Sequence, residues 1–589
     1  MLKKLASCLR EYKAPTILTL ALMTGEAVID ALLPFTIAEL VNEIKAGVNM
    51  TEVTRLSFIL VAMAIFSLAF GGAAGFISAR AATGFAKNVR HDVFHKVQEF
   101  AFENIDKFSS SSLVTRMTTD VNNVQMAFMM LIRIAVRAPL MLIFSVVMAY
   151  IMGGPLAMTF VVIIPVLAFG LILVAHKAMP AFRAVFKKYD KLNESIEENV
   201  RAMRVVKGFA REEYEKEKFG KAAEDIRADF TRAERIVALN APLMQLCVYF
   251  NMTFVMLVGS RLAIISHGAI VDVGQISAML TYGMQILMNL MMLSMIYVML
   301  TMSAESGKRI CEVLDETPAL REPETNAVTE IRDGSIDFTD VRFKYSAAAE
   351  RYALDCVDLH ISSGMTVGIL GGTGVGKSTL VQLIPRLYDA TEGCVRVGGV
   401  DVRDYDLTVL RDSVAMVLQK NELFSGTIAE NLRWGNPDAT DEELVHACRL
   451  AQADDFIRAF PDGYQTKIEQ GGTNVSGGQK QRLCIARALL KKPKILILDD
   501  STSAVDTRTD ALIRQAFRED IPDTTKLIIA QRVASVEDAD LILVMEGGRI
   551  VESGKHAELM ASSAIYRETY EQQTKGSSES KGGEENARA

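Results

Sequence analysis

Six apolar stretches, each long enough to cross a lipid bilayer, constrain the fold of this chain more than any other feature. A spanning helix needs about 20 predominantly apolar residues. The six stretches lie near residues 15–41, 57–80, 129–152, 154–175, 241–266 and 275–302. Beyond about residue 303, short apolar runs alternate with charged stretches, which is typical of an α/β domain. The sequence therefore predicts an α-helical six-span membrane domain followed by an α/β domain.

The change in pattern divides the 589 residues into five segments. We predict an N-terminal elbow segment (1–14), a transmembrane domain with long cytoplasmic hairpins (15–303), a linker (304–333), an α/β domain (334–575) and a tail (576–589). The tail reads GSSESKGGEENARA and has the composition of a disordered segment. The two connections after the second and fourth stretches are long and charged, and each reads as a helical hairpin that extends away from the membrane.

The charges around the first apolar stretch predict the orientation of the chain. Lys3, Lys4, Arg10 and Lys13 precede that stretch, and basic residues mark the cytoplasmic side of a membrane protein. An even number of spans then returns the C-terminal domain to the cytoplasm. The tips of the two long hairpins, near Leu113–Asp120 and Phe209–Glu213, are where we expect the membrane domain to touch the α/β domain. The alternative is that these connections are two independent linkers.

Net charge and cysteine spacing exclude two other classes of protein. The formal net charge is −7, which argues against nucleic-acid binding as the main role. The seven cysteines are scattered singly, with no CxxC spacing. This pattern favours reduced thiols over disulfides or a zinc site.

Charged residues inside the apolar stretches mark a candidate site within the membrane. Glu26 and Asp30 are four residues apart and so share one helix face, and Arg133 and Arg137 are candidate counter-charges. Charge at bilayer depth is unfavourable and marks either a water-filled path or a paired network. The sequence leaves two interpretations open, a polar site in a translocation cavity and a structural network of ion pairs.

Methionines recur at three- and four-residue spacing along the sixth stretch. Flexible thioethers suit a surface that binds varied apolar ligands, although such a stripe also suits helix packing. The candidate substrate contacts are Glu26, Asp30, Gln285, Met288, Asn289, Met292 and Met295.

The α/β domain contains a glycine-rich loop with the spacing of a phosphate-binding site. Residues 367–379 read VGILGGTGVGKST, a short β run followed by Gly371, Gly374 and Gly376. Glycines let the backbone N–H groups turn toward phosphate oxygens. Lys377 would then reach the β- and γ-phosphates, and Ser378 would bind Mg²⁺.

Two further motifs belong with this loop. The run ILILDD has Asp499 at the end of an apolar strand, where ligands bind in parallel sheets, and this acid would complete the Mg²⁺ site. Residues 474–482 read NVSGGQKQR, in which a serine and two glycines open a helix and form a second potential phosphate binder. A second binder in one domain suggests that it serves a different nucleotide across a dimer interface.

The order of these motifs resembles that of the ATP-binding cassette (ABC) family. GGTGVGKST, Gln419 in MVLQKNELFSGTIAEN, VSGGQ and ILILDD follow one another as in an ABC domain, and the six preceding spans resemble an ABC exporter half-transporter of the type IV fold. The resemblance implies an ATP-driven exporter in the cell membrane of a bacterium, with ATP and Mg²⁺ as cofactors.

The resemblance also implies a role for each matching residue. Tyr345 would stack on adenine, and Gln419 would sense the metal as a Mg²⁺ ligand and couple to the spans. The other nucleotide contacts would be Gly371, Gly374, Gly376, Lys377, Ser378, Thr379, Ser476, Gly477, Gly478, Gln479 and Asp506, with Ser378, Gln419 and Asp499 at the metal. The catalytic set would be Asp500, Gln531 and Gln419.

Two of these positions depart from the family pattern. Members that hydrolyse ATP rapidly have Glu where this chain has Asp500, and His where it has Gln531. Asp is one methylene shorter than Glu, and a misplacement of about 1 Å can reduce a rate by about 10²-fold. Gln cannot become cationic as His can. The alternative is that both residues are tolerated variants in an active homodimer.

The intact VSGGQ signature sharpens the resemblance. In this family a signature serves the opposite ATP site, so a weakened site beside a sound signature resembles the degenerate-site subunit of a heterodimeric bacterial multidrug exporter. The expected partners are a homologous half-transporter with Glu and His, membrane lipid and a small amphipathic substrate, and no nucleic acid. Alternatives are a lipid flippase or peptide exporter, and an ATP-gated regulatory or channel-like subunit with little turnover.

Overall fold

The computed structural model describes residues 1–47, 50–266, 269–321, 323, 327–346, 349–501 and 504–573. These residues form two compact units. The first comprises Met1–Glu99 and Phe108–Glu316, and the second comprises Phe100–Lys107 and the described residues from Thr317 onward. The predicted tail, residues 576–589, lies outside the described residues.

The described residues before Thr317 form helices. In chain order they are α1 (Leu2–Ser7), α2 (Lys13–Ala46), α3 (Met50–Gln98), α4 (Phe102–Phe108), α5 (Ser110–Thr115), α6 (Val121–Gly153), α7 (Met158–Arg201), α8 (Met203–Gly208), α9 (Glu212–Val237), α10 (Asn240–Ile265) and α11 (Val273–Asp315).

Six of these helices, α2, α3, α6, α7, α10 and α11, carry the six predicted apolar stretches and are long enough to span a membrane. The prediction of six spans is confirmed. Several helices continue well beyond their apolar part. The 49 residues of α3 correspond to about 73 Å at about 1.5 Å per residue, whereas the bilayer core is about 30 Å thick. The apolar stretch of α11 likewise ends near residue 302, but the helix continues to Asp315.

Small residues allow the spanning helices to approach closely, as is usual in membranes. The backbone N–H of Gly274, at the start of α11, donates to Oδ1 of Asn42 on α2 at 2.9 Å. A side chain at Gly274 would clash with the carbonyl oxygen of Ala38. Glycine at this position therefore sets the distance between α2 and α11.

The second unit contains short strands and helices. The strands are β1 (Ile336–Phe343), β2 (Leu354–Ile361), β3 (Thr366–Gly371), β4 (Glu392–Val397), β5 (Val400–Asp401), β6 (Val414–Val417), β7 (Gly426–Thr427), β8 (Lys467–Ile468), β9 (Ile495–Asp499), β10 (Thr525–Ile529), β11 (Leu541–Glu546) and β12 (Arg549–Gly554). The helices are α12 (Lys377–Gln382), α13 (Leu407–Ser413), α14 (Ile428–Arg433), α15 (Asp441–Leu450), α16 (Asp454–Ala459), α17 (Gly477–Leu490), α18 (Thr507–Asp520) and α19 (His556–Ser562).

The main sheet of this unit has the order β12-β11-β3-β10-β9-β6. The pairs of β3 with β10 and β11, and of β9 with β10 and β6, are parallel, and β12 is antiparallel to β11. Every residue of β9 and β10 is buried. Alternate residues of β9 enter two different core clusters, Leu496 and Leu498 in one and Ile495 and Ile497 in the other. Both faces of the sheet are therefore covered, as expected of parallel strands.

A second sheet, with the order β2-β1-β4-β5, is antiparallel. Residues of β1 and β4 share a core cluster with residues of β3, β9 and β10. The six-span helical domain followed by an α/β domain is thus the observed fold class.

Residues 100–107, which follow α3, lie in the compact unit of the α/β domain. Asn104 is buried, donates to the carbonyl oxygen of Thr317 at 3.1 Å and accepts from the N–H of Ala319 at 2.9 Å. Tyr388 donates its hydroxyl to Asp106 at 2.8 Å. That residues 100–107 belong to this unit was not predicted. Leu113–Asp120 lies in the first unit, and its expected contact with the α/β domain, like that of Phe209–Glu213, stays a prediction.

An ion pair fixes the end of α11 within the first unit. Asp120 is fully buried, and the guanidinium of Arg309 on α11 binds both of its carboxylate oxygens, with Nε at 2.9 Å from Oδ2. Arg116, one turn before Asp120, binds Glu312 at 3.1 Å. Two pairs between the same two segments hold the part of α11 beyond its apolar stretch in register.

We expect Arg309→Ala to destabilise the protein, because it leaves the carboxylate of Asp120 buried without its cation. Removing one partner of a fully buried pair costs about 3–5 kcal/mol. Arg309 is 44% exposed, so we expect a loss of roughly 2–3 kcal/mol, below that range, seen as a lower midpoint of thermal unfolding.

The double variant Arg309→Ala/Asp120→Asn should recover most of this loss, since it removes the unpaired charge. Arg227→Ala is the matched control, because Arg227 pairs with Glu224 on the exposed surface of α9, where ion pairs contribute little. An equal shift for Arg227→Ala and Arg309→Ala would contradict the interpretation.

Candidate functional site

The glycine-rich loop links β3 to α12. Gly371, Gly374 and Gly376 adopt φ values of 152°, 81° and 99°, which disfavour any residue with a Cβ atom. Side chains at Gly371 and Gly376 would also clash with the carbonyl oxygens of Met545 and Ala353. The three predicted glycines are therefore the residues that allow this loop to curl.

Lys377 and Ser378 follow the loop at the start of α12. The Nζ of Lys377 donates to the carbonyl oxygens of Gly371 and Gly372 at 2.8 and 2.6 Å. Burial lowers the pKa of Lys377, while the nearby carboxylates of Asp499 and Asp500 raise it. The ammonium group of Lys377 therefore lies between the glycine-rich loop and the carboxylates of Asp499 and Asp500.

Ser378 and Asp499 form a pair of oxygen donors. The hydroxyl of Ser378 donates to Oδ1 of Asp499 at 3.0 Å. Asp499 is 3% exposed, and burial raises its pKa. A cation beside it would favour its ionised form, and Mg²⁺ prefers a few protein oxygens together with substrate phosphates. The two residues fit a Mg²⁺ site, and bound Mg²⁺ would neutralise phosphate charge.

Asp500, directly after β9, is held by its neighbours. Its φ is 49°, and its N–H donates to the carbonyl oxygen of Ile529 at 3.0 Å. Oδ2 accepts from Nε2 of Gln531 at 2.7 Å. Burial is the larger effect and raises the pKa of Asp500, while the neighbouring amides of Gln531 and Gln419 partly oppose this rise. The three predicted catalytic residues therefore lie together.

Tyr345, two residues after β1, lies beside α12 and is 47% exposed. Its hydroxyl is 2.8 Å from Oγ1 of Thr379. Its ring meets those of Phe343 and Tyr388 edge-on, at centroid distances of 4.9 and 5.3 Å. The predicted adenine contact and one predicted phosphate contact are thus joined by a hydrogen bond.

The remaining predicted nucleotide contacts gather at the starts of α17 and α18. Ser476 caps α17, with its hydroxyl accepting from the N–H of Gln479 at 3.3 Å, while Oε1 of Gln479 accepts from the N–H of Ser476 at 2.9 Å. A Cβ on Gly477 or Gly478 would meet Ala504. Asp506 caps α18 by accepting from the N–H of Thr509 at 3.0 Å. Ser476, Gly477 and Asp506 are exposed.

Sequence reasoning missed Gln573, whose side chain binds the backbone on either side of Arg532. It belongs to no motif and lies 42 residues from Gln531, so the sequence carries no signal for it. Tyr388 and Asn104 were missed for the same reason.

In the spans, Arg137 pairs with both predicted acids. Its NH2 lies 2.6 Å from Oδ2 of Asp30, and its Nε lies 3.4 Å from Oε1 of Glu26. Ser67 on α3 donates to Asp30 at 2.7 Å. A Cβ at Gly71 would lie 3.2 Å from the carboxylate of Glu26, so this glycine makes room for the acid. The cluster joins α2, α3 and α6.

Of the other predicted substrate contacts, only Gln285 binds this cluster directly. Its Nε2 donates to the backbone oxygen of Asp30 at 3.4 Å, and Asn289 donates to the backbone oxygen of Gln285 at 2.7 Å. Met288, Met292 and Met295 are exposed on α11. A cavity of about 680 Å³ lies between α7 and α11, lined by residues that include Leu171 and Leu293, and none of the predicted substrate contacts lines it.

Comparison with known proteins decides the family. The model of the ABC transporter transmembrane region matches residues 16–291, and the ABC transporter model matches residues 354–503. The chain belongs to the ABC transporter family. It is an exporter half-transporter, with a transmembrane domain and an ABC domain on one polypeptide, and its ABC domain is that of a transport ATPase.

Relatives and one solved structure extend this similarity over nearly the whole chain. An uncharacterized ABC transporter ATP-binding protein of Bacillus subtilis, YfiB, is 35% identical over 97% of this chain and 98% of its own length. A fatty acid ABC transporter ATP-binding/permease protein of Mycobacterium bovis is 34% identical over 81% of this chain and 75% of its own. The structure of a bacterial Atm1-family ABC exporter with ATP bound has a TM-score of 0.81, at 23% identity, covering 96% of this chain and 98% of that one. The last likeness shows the fold alone.

Proposed function

We propose that this half-transporter is the slow-site subunit of a heterodimeric exporter that moves amphipathic or lipophilic compounds out of the cytoplasm or the inner leaflet. The observation that supports this most directly is the hydrogen bonding of Asp500. Its carboxylate, which follows the proposed Mg²⁺ ligand Asp499, accepts from Gln531 at 2.7 Å, and the amide of Gln419 lies near enough to lower its pKa.

A general base must reach the proton of the attacking water and accept it. Asp500 is one methylene shorter than Glu, and its Oδ2 is already engaged by the amide of Gln531 at 2.7 Å, so its carboxylate is poorly placed to reach an attacking water. Gln531 supplies a neutral amide where a cationic side chain would stabilise the charge of the transition state more strongly. Both features slow hydrolysis at the site formed by Lys377, Ser378 and Asp499, without removing any group that binds ATP.

The start of α17 supports the second half of the proposal. The side chains of Ser476 and Gln479 each accept a hydrogen bond from the other's backbone N–H, and the exposed residues Ser476 and Gly477 leave that helix end accessible. A 14-residue helix favours anions at its N-terminus. This end of α17 would complete the competent site of a partner subunit that carries Glu and His. The assembled pair would lie in the cell membrane with both termini of this chain in the cytoplasm.

Two features support an amphipathic or lipophilic substrate. The polar cluster of Glu26, Asp30 and Arg137 lies within the spans, where charge marks a functional path or a paired network. One relative is named a fatty acid transporter, which favours a lipid-like substrate as the second candidate.

A gate without turnover would need no stimulation of ATPase activity by substrate, so that stimulation separates an exporter from a channel-like subunit.

Native mass of the complex, purified from its own membranes through a tag on this 64.7 kDa chain, tests the heterodimer. We expect a second, different polypeptide of similar size in equal amount. A mass of twice this chain alone would overturn the heterodimer, because both sites would then carry Asp500 and Gln531.

Restoring both catalytic side chains tests the slow site. We expect Asp500→Glu alone to raise the ATPase rate of the purified complex by less than about threefold, because Gln531 still supplies a neutral contact. Asp500→Glu/Gln531→His should raise it by about tenfold or more, since reach and charge are then both restored. Asp523→Glu, at an exposed acid, is the matched control. Full recovery with Asp500→Glu alone would show that reach was the only defect.

Transport of cationic and neutral dyes tests the polar cluster of the spans. Glu26→Gln/Asp30→Asn removes both negative charges and leaves Arg137 unpaired at bilayer depth. If the acids recognise substrate charge, we expect the transport of cationic dye to fall by about tenfold, with a much smaller change for neutral dye. Glu39→Gln, on the exposed surface of the same helix, controls for loss of an acid. Equal losses for both dyes would assign the cluster to structure alone.

A further inference from the structure

The side chain of Gln573 links the C-terminal end of the described chain to the loop that carries Gln531. Its Nε2 donates to the backbone oxygen of Gln531 at 2.8 Å, and its Oε1 accepts from the N–H of Val533 at 2.8 Å. The side-chain amide of Gln573 therefore pairs with both the carbonyl group of Gln531 and the N–H group of Val533. Two bonds from one side chain fix the turn in both position and orientation.

The element that carries Gln573 is itself anchored. Residues 564–573 are helical, and we call them the C-terminal helix. Tyr566 in its first turn is 1% exposed, and its hydroxyl lies 2.7 Å from Nδ1 of His556. The N–H of Tyr566 also donates to the hydroxyl of Ser563 at 2.9 Å. Tyr566 and Gln573 are seven residues apart, or about two turns, and so share one helix face. The buried tyrosine thus holds the helix against the domain while Gln573 reaches the loop.

The loop held by Gln573 lies at the phosphate end of the sheet. β10 lies between β3, which leads into the phosphate loop, and β9, which ends at Asp499. Gln531 follows β10 by two residues, at the edge where parallel sheets bind ligands. Its amide carries two N–H groups, of which one donates to Asp500. The second N–H group lies at the same edge of the sheet as the phosphate loop, where the terminal phosphate of ATP, which ADP lacks, would lie.

We infer that Gln573 is a positioning residue that holds the Gln531 amide between Asp500 and the terminal phosphate, so that the C-terminal helix sets how well this site distinguishes ATP from ADP. This inference depends on nucleotide binding at this chain's own phosphate loop and not on the heterodimer. A structural role alone would weaken both nucleotides equally, whereas positioning of Gln531 affects only the nucleotide with a third phosphate.

Photolabelling of the full-length chain tests the inference. The complex is labelled with radioactive 8-azido-ATP or 8-azido-ADP in the presence of Mg²⁺, and this chain is then recovered through its tag under denaturing conditions. For Gln573→Ala we expect the half-maximal concentration of 8-azido-ATP to rise about three- to tenfold, as for the loss of one or two neutral hydrogen bonds. The value for 8-azido-ADP should stay within about twofold.

Gln572→Ala is the matched control, because Gln572 is the same residue type one position earlier and donates along the exposed helix surface, to Glu568 at 3.0 Å. It should leave both values unchanged. Gln531→Ala should reproduce the effect of Gln573→Ala, and the double variant should add nothing further, because both changes remove one contact.

Equal weakening of ATP and ADP by Gln573→Ala would overturn the inference, as would additive losses in the double variant. Thermal unfolding of each variant is measured in parallel, and Gln531→Ala still tests the contact if Gln573→Ala unfolds. Labelling that fails with wild type for both nucleotides would contradict nucleotide binding at this site, and hence the slow-site proposal as well.

Discussion

The parallel pairing of β3, β10 and β9 is the constraint on which the nucleotide site depends. Each strand ends at the same edge of the sheet, and each is followed by a group of the candidate site: the phosphate loop after β3, Gln531 after β10, and Asp500 after β9. A shift of one residue in either pairing would move alternate side chains to the opposite face of the sheet. The two buried cores on either side of β9 and β10 oppose such a shift, so the packing of the domain also fixes the geometry of its chemistry.

Local patterns predicted the parts of the site that one segment of chain builds. The phosphate loop needs glycines at fixed spacing because its φ values are positive at Gly371, Gly374 and Gly376, and this requirement is visible in the sequence. The six spans were predictable for a similar reason, since the thickness of the bilayer sets the length of each apolar run. In both cases a physical requirement acts on adjacent residues.

Contacts between distant segments were not predictable in the same way. Nothing in the sequence around Gln573 indicates that its amide binds the turn after β10. The inclusion of residues 100–107 in the compact unit of the ABC domain was not predicted either, because the helical pattern between the second and third spans does not mark where one helix stops. Only the three-dimensional structure shows that α3 ends at Gln98 and that α4 follows as a separate short helix.

The position of residues 100–107 affects which part of the chain can fold independently as the ABC domain, here called the cassette. The side chain of Asn104 binds the backbone of Thr317 and Ala319, and that of Asp106 accepts from the hydroxyl of Tyr388. Residues 108–316, which belong to the first unit, lie between these two parts of the chain. A cassette expressed alone from Thr317 would lack these partners and would expose the ring of Tyr388 to water. Ribosomal synthesis makes residues 100–107 long before the cassette, so this small piece of the domain must wait for the rest of its fold.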